Sequence, residues 1–535
     1  MLSLVKHAGV VATRVATLLC VGICAACGLV LKDPFAAFGR VNAKGGDRLT
    51  REAALEDLDY LIGLVNRTHA DPYRFRPREA LEAERRRVAG AMPASVTANE
   101  LCVRLSGVLA VLEDAHTELA CERVVMNDWR QAAAAAPAAT QPVLRFAPFI
   151  RLDDQQHVIV SWHNGAPGID PGDRILRIND QDADALLAAW SSAVSHDTAA
   201  GRRAMVAQRF RAYMALHGIE APYRLTVAPP GGGSSRGVTI QGDPVNHQFE
   251  DTPPAPIRPP VTLVDLPPVP ATVFKPIQLK NGFFEYRMIE PDIGYMNFFS
   301  IVDGLETVAH FEKAAGQMFE KVAADRPRVL VIDIRENGGG EANASEALLR
   351  HLTEKPFRLY TSLQLKRSDE AKDFISSIFR PPFRWMGLPR LDSELRQYYN
   401  GPVGTLSKPR EQPLVAHPRA EPFFDGPVCV LTGPRTGSAA VELAEAIKFF
   451  CLATIVGEET GGQPNSFGNG FPFMLPRSRL TVAIATSTGI RANGNLKDFS
   501  PVKPDIVVRT TAVDMRRGFD PALERAKTCP ARPIR

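Results

Sequence analysis

Past its N-terminal segment the chain has no CxxC, and HExxH occurs nowhere in it. The commonest sequence signals of a zinc site are therefore missing, and no metal or other cofactor is expected. A surplus of charge is missing too. Lys and Arg number 63 against 59 Asp and Glu, a formal +4 over 535 residues, which is no footprint for nucleic acid. No internal repeat shows, which argues against a solenoid. Histidine is scarce, at 11 residues, so chemistry that needs an imidazole has few places to come from. What is present is an ordinary globular composition, 45% hydrophobic and 23% charged. The length asks for about two to four folded units, and 40 Gly with 43 Pro point to many loops and at least one linker.

The N-terminus differs from the rest. MLSLVKHAGVVATR carries Lys6, His7 and Arg14, and an uncharged run, VATLLCVGICAACGLVL, follows. That is the order of a secretory signal, so export to the periplasm or cell envelope is expected, with residues 1–31 as signal, uncleaved anchor, or lipid attachment at Cys27. Membrane association would run through this segment. Beyond it remain Cys102, Cys121, Cys429, Cys451 and Cys529, an odd number that cannot pair completely. Along the chain the nearest pairs are Cys102–Cys121 and Cys429–Cys451, and export permits either bridge.

Residues 48–130 read as a helical unit, since LEDLDYLIGLV and ANELCVRLSGVLAVLEDAH repeat apolar residues every three or four positions. After the Ala-rich breaker at 132–142, residues 142–230 alternate short apolar runs (VLRFAPFI, HVIVSW, YRLTVAP) with turn signals, a small β-rich module. PPGGGSSRG closes it. The proline-dense stretch that follows, within 231–280, reads as a semi-rigid connector. Residues 281–525 have α/β character: IGYMNFFSI, RVLVIDI, PVCVLTG, ATIVGEE and LTVAIAT are apolar runs of the kind seen in strands buried on both faces, with amphipathic helices between.

Two loops in this last unit could carry chemistry. DIRENGGG, Asp333 to Gly340, follows a strand, and its glycines let the backbone turn sharply beside a helix N-terminus. It lacks the lysine of a phosphate loop. TGSAAVELA sets Ser438 between a strand and a helix, where a serine serves either as a helix cap or as an exposed nucleophile. A serine needs a base. His116, in VLEDAHTEL, is the first candidate and His69, in THADPYRF, the second.

RVLVIDIRENGGG, GPVCVLTGPRTGSAAVELA, TIVGEETGG and VKPDIVV stand in the order seen in the C-terminal-processing (tail-specific) serine peptidases, and the chain resembles the branch with the tricorn protease core and the interphotoreceptor retinoid-binding modules. The resemblance spans roughly residues 50–525. It implies a multidomain α/β fold: an N-terminal helical unit, a PDZ-like β module carried by VIVSWHNGAPGIDPGDRILRIND, and a C-terminal α/β core of the crotonase/ClpP-like layered type. It implies further that Ser438 is the nucleophile, His116 the general base and Asp498, just before the PD pair, the third member of the triad. Gly338 or Gly339, with Ala439, would supply the oxyanion hole. Asp333, Arg335 and Asn337 would hold the glycine loop in shape, and Asp505 would be structural. Pro501 stands where this branch has glycine. The processing branch uses a lysine about 25 residues after the serine, and here that position is Gln463, which cannot act as a base. The implied function is an exported serine endopeptidase acting on unfolded or C-terminal polypeptide segments. A non-catalytic ligand- or peptide-binding protein on the same fold is the alternative, and an acyl-CoA-type hydratase or hydrolase a third reading that leaves the PDZ-like module without a role.

Overall fold

The computed structural model describes residues 43–135, 143–163, 165–244, 277–279, 282–299, 305–379, 390 and 395–530. The expected export segment, most of the proline-dense connector and all but the two end residues of the arginine-rich FRPPFRWMGLPR stretch lie outside them. Among the described residues, no helix is long and apolar enough to cross a membrane.

The helical unit forms where the three-to-four spacing predicts. Helix Arg51–Thr68 begins at Thr50, whose hydroxyl accepts the Ala53 N–H. Helix Ala98–Leu109 opens on a reciprocal capping box between Thr97 and Glu100. Leu58, Leu61, Leu64 and Val65 bury against Leu101, Leu105 and Val108, and a Cys102–Cys121 disulfide closes the unit. The last helix runs into a 3-10 turn, Ala110–Leu112, which ends at Glu113 in the left-handed region (φ 53°). That residue turns the chain sharply just before Asp114 and His116.

The middle unit is built on an antiparallel sheet in the order Arg236–Ile240, Tyr223–Ala228, Arg174–Ile178, Val158–Trp162, Phe149–Leu152. Its glycine-rich stretch does not close the unit: Arg236–Ile240 pairs back onto Tyr223–Ala228, and Asp243–Pro244 pairs with Leu144–Arg145. Folded structure therefore continues past residue 230 to Pro244. Between the strands lie three helices that the alternating reading passes over, Ala183–Ser192, Ala199–Gln208 and Phe210–Leu216. Their apolar faces (Leu187, Trp190, Val206, Phe210, Met214) fill the core against Val158, Ile175 and Leu225.

The C-terminal unit holds a seven-stranded sheet in the order Ile277–Leu279, Gly282–Glu290, Ile293–Phe298, Val329–Asp333, Val428–Thr432, Thr454–Gly457, Ile506–Val507. From Ile293–Phe298 onward its neighbours run parallel, with crossover helices such as Ala439–Phe449 between them. Side chains alternate faces with a period of two. Leu330, Ile332, Val428 and Val430 meet the helices Leu305–Asp325, Ala342–Arg350 and Ala439–Phe449, whereas Val329, Val331, Cys429 and Leu431 meet the C-terminal helix Pro521–Lys527. This parity corrects the second expected disulfide. Cys429 bonds to Cys529 on the C-terminal-helix side, while Cys451, at the end of Ala439–Phe449 on the opposite side, is free.

LTVAIAT is not part of that sheet. Thr481–Arg491 lies in a second, antiparallel sheet with Phe467–Met474, Tyr360–Leu365 and Arg410–Glu411. The short strand Glu118–Leu119 of the helical unit pairs onto the same sheet, with Leu119 opposite Val482 and Glu118 opposite Ala483. Leu475, Leu480, Val482 and Ile484 accordingly share one core with the helical unit.

Candidate active site

Ser438 stands at the junction of strand Val428–Thr432 and helix Ala439–Phe449. Its backbone is at φ 47°, ψ −126°, a conformation that a non-glycine residue adopts at a cost of about 1–3 kcal/mol. A capping serine has extended backbone and accepts an N–H of the first turn. Ser438 does neither. Its Oγ lies instead 3.0 Å from His116 Nε2, across 322 residues of sequence.

Three groups hold the turn that exposes Ser438. Thr436 Oγ1 donates to Ile334 O and accepts the Gly433 N–H. Asn337 is fully buried; its amide donates to Phe298 O, and its carbonyl oxygens accept from Gly339 N–H and Gly437 N–H. Arg335 bridges Asp333 and Asp520. These residues keep the glycine loop in shape. Gly339 has no freedom to be anything else: at φ 107°, a Cβ would sit 2.5 Å from Ser438 Cβ and 2.9 Å from Ala439 N. Its N–H is already bonded to Asn337 Oδ1 at 2.9 Å, so of the two expected glycine donors Gly338 remains. Among the described residues, the N–H groups of Gly338 and Ala439 have no acceptor, and the helix N-terminus behind them favours negative charge.

His116 is placed by the helical unit. Its N–H donates to Asp114 Oδ1 at 2.8 Å, Thr117 Oγ1 accepts the Ala485 N–H, and the Glu118–Leu119 strand fixes the following residues on the second sheet. His116 Nδ1 lies 3.7 Å from Asp114 Oδ1, longer than a hydrogen bond, and makes no other bond. Asp114 is fully buried, and its Oδ2 accepts from His69 Nε2 at 3.1 Å. His69 Nδ1 accepts the Asp71 N–H, so the proton of neutral His69 resides on Nε2 and points at Asp114. The second-choice base therefore does not face the serine; it orients a carboxylate.

Asp498 is not brought to the imidazole. Its carboxylate is held by Arg491 Nη1 and by the Ser500 hydroxyl and N–H, and Arg491 is itself fixed by Glu445 from the core helix. The carboxylates that act on His116 are Asp114, Asp197 and Glu118. Asp114 lay unassigned inside the VLEDAHTEL motif, two residues from the histidine. Asp197 comes from the middle unit, in a stretch with no family signal. Gln463, in the lysine position of the processing branch, gives its backbone N–H to Asp197 Oδ2 at 3.3 Å.

Electrostatics follow from burial. Removal from water lowers the pKa of His116, yet Asp114, Asp197 and Glu118 outweigh it and the net shift is upward. Burial alone would raise Asp114, but the His116 and His69 imidazoles beside it reverse this and hold it far below the usual carboxylate range. Burial pushes Asp197 up to about 6, with His116 opposing. Glu442, one helical turn after Ser438, is pushed up to about 7 by burial, again opposed by His116. A cleft of about 580 Å³ opens beside the site, lined by Trp129, Phe149, Ile150, Arg151 and the Gly433–Arg435 turn that leads to Ser438. Ser438 and His116 do not line it.

Residues 292–508 match the sequence model of Peptidase family S41. No curated protein matches the chain. Among solved structures, mature CPAF is similar with a TM-score of 0.59 at 18% identity, covering 89% of this chain and 96% of that one. Mature CPAF complexed with lactacystin gives 0.59 at 17% identity, over 89% and 98%. Such identities speak for the fold. The tricorn protease covers 89% of this chain and 36% of its own at 15% identity, with a TM-score of 0.32, too low to decide the branch.

Proposed function

We propose that the chain, whose residues 292–508 match the model of peptidase family S41, is an exported serine endopeptidase in which Ser438, His116 and Asp114 carry the reaction. The carrying observation is the 3.0 Å contact between Ser438 Oγ and His116 Nε2, made by a serine whose strained backbone serves no cap. Ser438 Oγ attacks the peptide carbonyl as His116 Nε2 takes its proton, and the imidazolium then protonates the leaving amine. Asp114, ionised and 3.7 Å from Nδ1, stabilises the charged imidazole. In this reading it replaces Asp498 as the third member. Gly338 N–H and Ala439 N–H receive the oxyanion, each such donor contributing about 3–4 kcal/mol in the transition state.

The substrate is a polypeptide segment that enters unfolded through the cleft along the Phe149–Leu152 strand, whose outer edge ends the sheet order. That strand belongs to a module we read as PDZ-like, a type that adds a peptide as an extra strand. Export is supported by the signal-like N-terminus and by two disulfides, which persist in oxidising compartments. Cleavage of an unstructured peptide by the full chain, against Ser438→Ala, tests the reading. A loss of about 10⁴-fold or more is expected; equal cleavage by both proteins removes it. The alternative of a binding protein without turnover draws on Gln463 in place of the lysine. It predicts no acylation of Ser438 by a serine-directed phosphonate.

A further inference from the structure

We propose that Asp197, carried by the middle unit, is a positioning residue of the same reaction: its carboxylate ties the histidine loop to the Gly461–Gln463 loop and keeps a second negative charge beside His116. The inference rests on the Ser438–His116 reading and adds to it a group from a part of the chain outside both the glycine loop and the serine turn.

Residues 195–198 end the connection from helix Ala183–Ser192 to helix Ala199–Gln208. Three of these four side chains bond backbone groups of other loops. Ser195 Oγ donates to Asp114 O at 2.7 Å and accepts Asp114 N–H at 3.1 Å. Asp197 Oδ1 accepts Ala115 N–H at 2.9 Å, and its Oδ2 accepts Gln463 N–H. Thr198 Oγ1 donates to Gly461 O at 2.5 Å. One short segment thus grips both residues that precede His116 in sequence and the loop that lies against Ser438. The gap is close: a Cβ on Gly462 would lie 3.2 Å from Asp197 Oδ2 and 3.6 Å from Ser438 N. A Cβ on Gly201 would lie 2.5 Å from Gly461 O, so backbone meets backbone there.

Each oxygen of the part-buried Asp197 carboxylate accepts one N–H, so an isosteric amide, with a single acceptor oxygen, would keep only one of the two bonds. The charge has a use when His116 takes the serine proton, because the imidazolium then faces Asp114 and Asp197 together. The titratable and charged groups around the imidazole are Asp114, Asp197, Glu118, Glu442 and His196; those acting on Asp197 are His116 and Asp114. Burial drives His196 down to about 3, so it stays neutral and does not compete.

The test is Asp197→Asn in the full chain, an isosteric change that keeps one acceptor oxygen. Expected are a kcat lower by roughly ten- to a hundredfold, a KM within about twofold of wild type, and an acid limb of kcat/KM displaced to lower pH, since loss of the negative charge lowers the pKa of the base. Thr198→Val removes the Gly461 contact and keeps the charge, so its acid limb stays at the wild-type position. Wild-type kcat with an unmoved limb in Asp197→Asn overturns the proposal, as does a loss of kcat with an unmoved limb, or an equal limb shift in Thr198→Val. Should Asp197→Asn fail to fold, histidine-selective ¹⁵N and aspartate-selective ¹³C titration of Ser438→Ala protein decides. His116 and Asp197 are expected to share an inflection, and independent single inflections at ordinary values overturn the idea. Cleavage that survives Ser438→Ala sinks the peptidase reading itself. Wild-type behaviour of Asp197→Asn in an enzyme that Ser438→Ala inactivates sinks this inference alone.

Discussion

The serine and the histidine of the site are held by regions built in opposite ways. The serine side is one layer of a parallel sheet: Val329–Asp333 and Val428–Thr432 are hydrogen-bonded neighbours, their side chains are buried, and both loops leave from the same ends. Asn337 O, which accepts Gly437 N–H, and Thr436 Oγ1, which donates to Ile334 O, stitch those loops together. The histidine side has no such frame. His116 sits on an irregular turn after Glu113, and its place is set by a strand from the second sheet, a carboxylate oriented by His69 forty-odd residues upstream and the Ser195–Thr198 segment of the middle unit. Ser438 is therefore pre-set by the core sheet, while His116 depends on three units being docked at once. Damage to an interface far from the core should displace His116 before it displaces Ser438.

The sharpest way to break this comparison is to move the acid. Asp114→Asn should lower kcat by about 10²-fold or more, whereas Asp498→Asn, whose carboxylate serves Arg491, should stay within roughly threefold of wild type, in line with an exposed pair. Progress curves on one peptide measure both, and the reverse ranking would return the acid to the core side. Next in size is Gly339→Ala. With φ 107° and a Cβ only 2.5 Å from Ser438 Cβ, it should lower unfolding stability by about 1–3 kcal/mol and displace the serine, read by chemical denaturation beside kcat. A variant of wild-type stability would mean that the serine side is less rigid than its contacts imply. The smallest effect is a position on the pH axis. A base works only when neutral, and the pKa of His116 is raised by the carboxylates around it. The acid limb of kcat/KM should therefore fall above about pH 6.5, the ordinary histidine value. A limb at or below that value would leave His116 without its carboxylates.

Much of the serine side was legible. Continuous apolar runs such as RVLVI and PVCVL can be satisfied by strands buried on both faces, and glycine loops at their ends have few other uses. The pairing of Cys429 was legible in principle: it alternates with Val428 and Val430 on the strand, so it had to face away from the helix that ends near Cys451. Proximity along the chain was the wrong guide. The three helices of residues 183–216 were passed over because their neighbours alternate like strands, although ADALLAAWSS is capped by Asp182 and carries a helical spacing. The place of Asp498 was not legible for a different reason. A carboxylate two residues from the histidine and one sixty residues beyond the serine are equal candidates on paper, and the choice between them lay with Arg491, whose reach to Asp498 is a tertiary fact.

By itself, then, the sequence determined the parts whose cause is local: the order of buried strands, the glycines where a side chain cannot fit, the serine at a strand-to-helix turn and the absence of a lysine at position 463. Tertiary structure decided which charges meet. A carboxylate takes its meaning from the donors and cations within a few ångströms of it, and for Asp114, Asp197 and Asp498 those neighbours come from His69, Gln463 and Arg491, each brought there by a different sheet or unit.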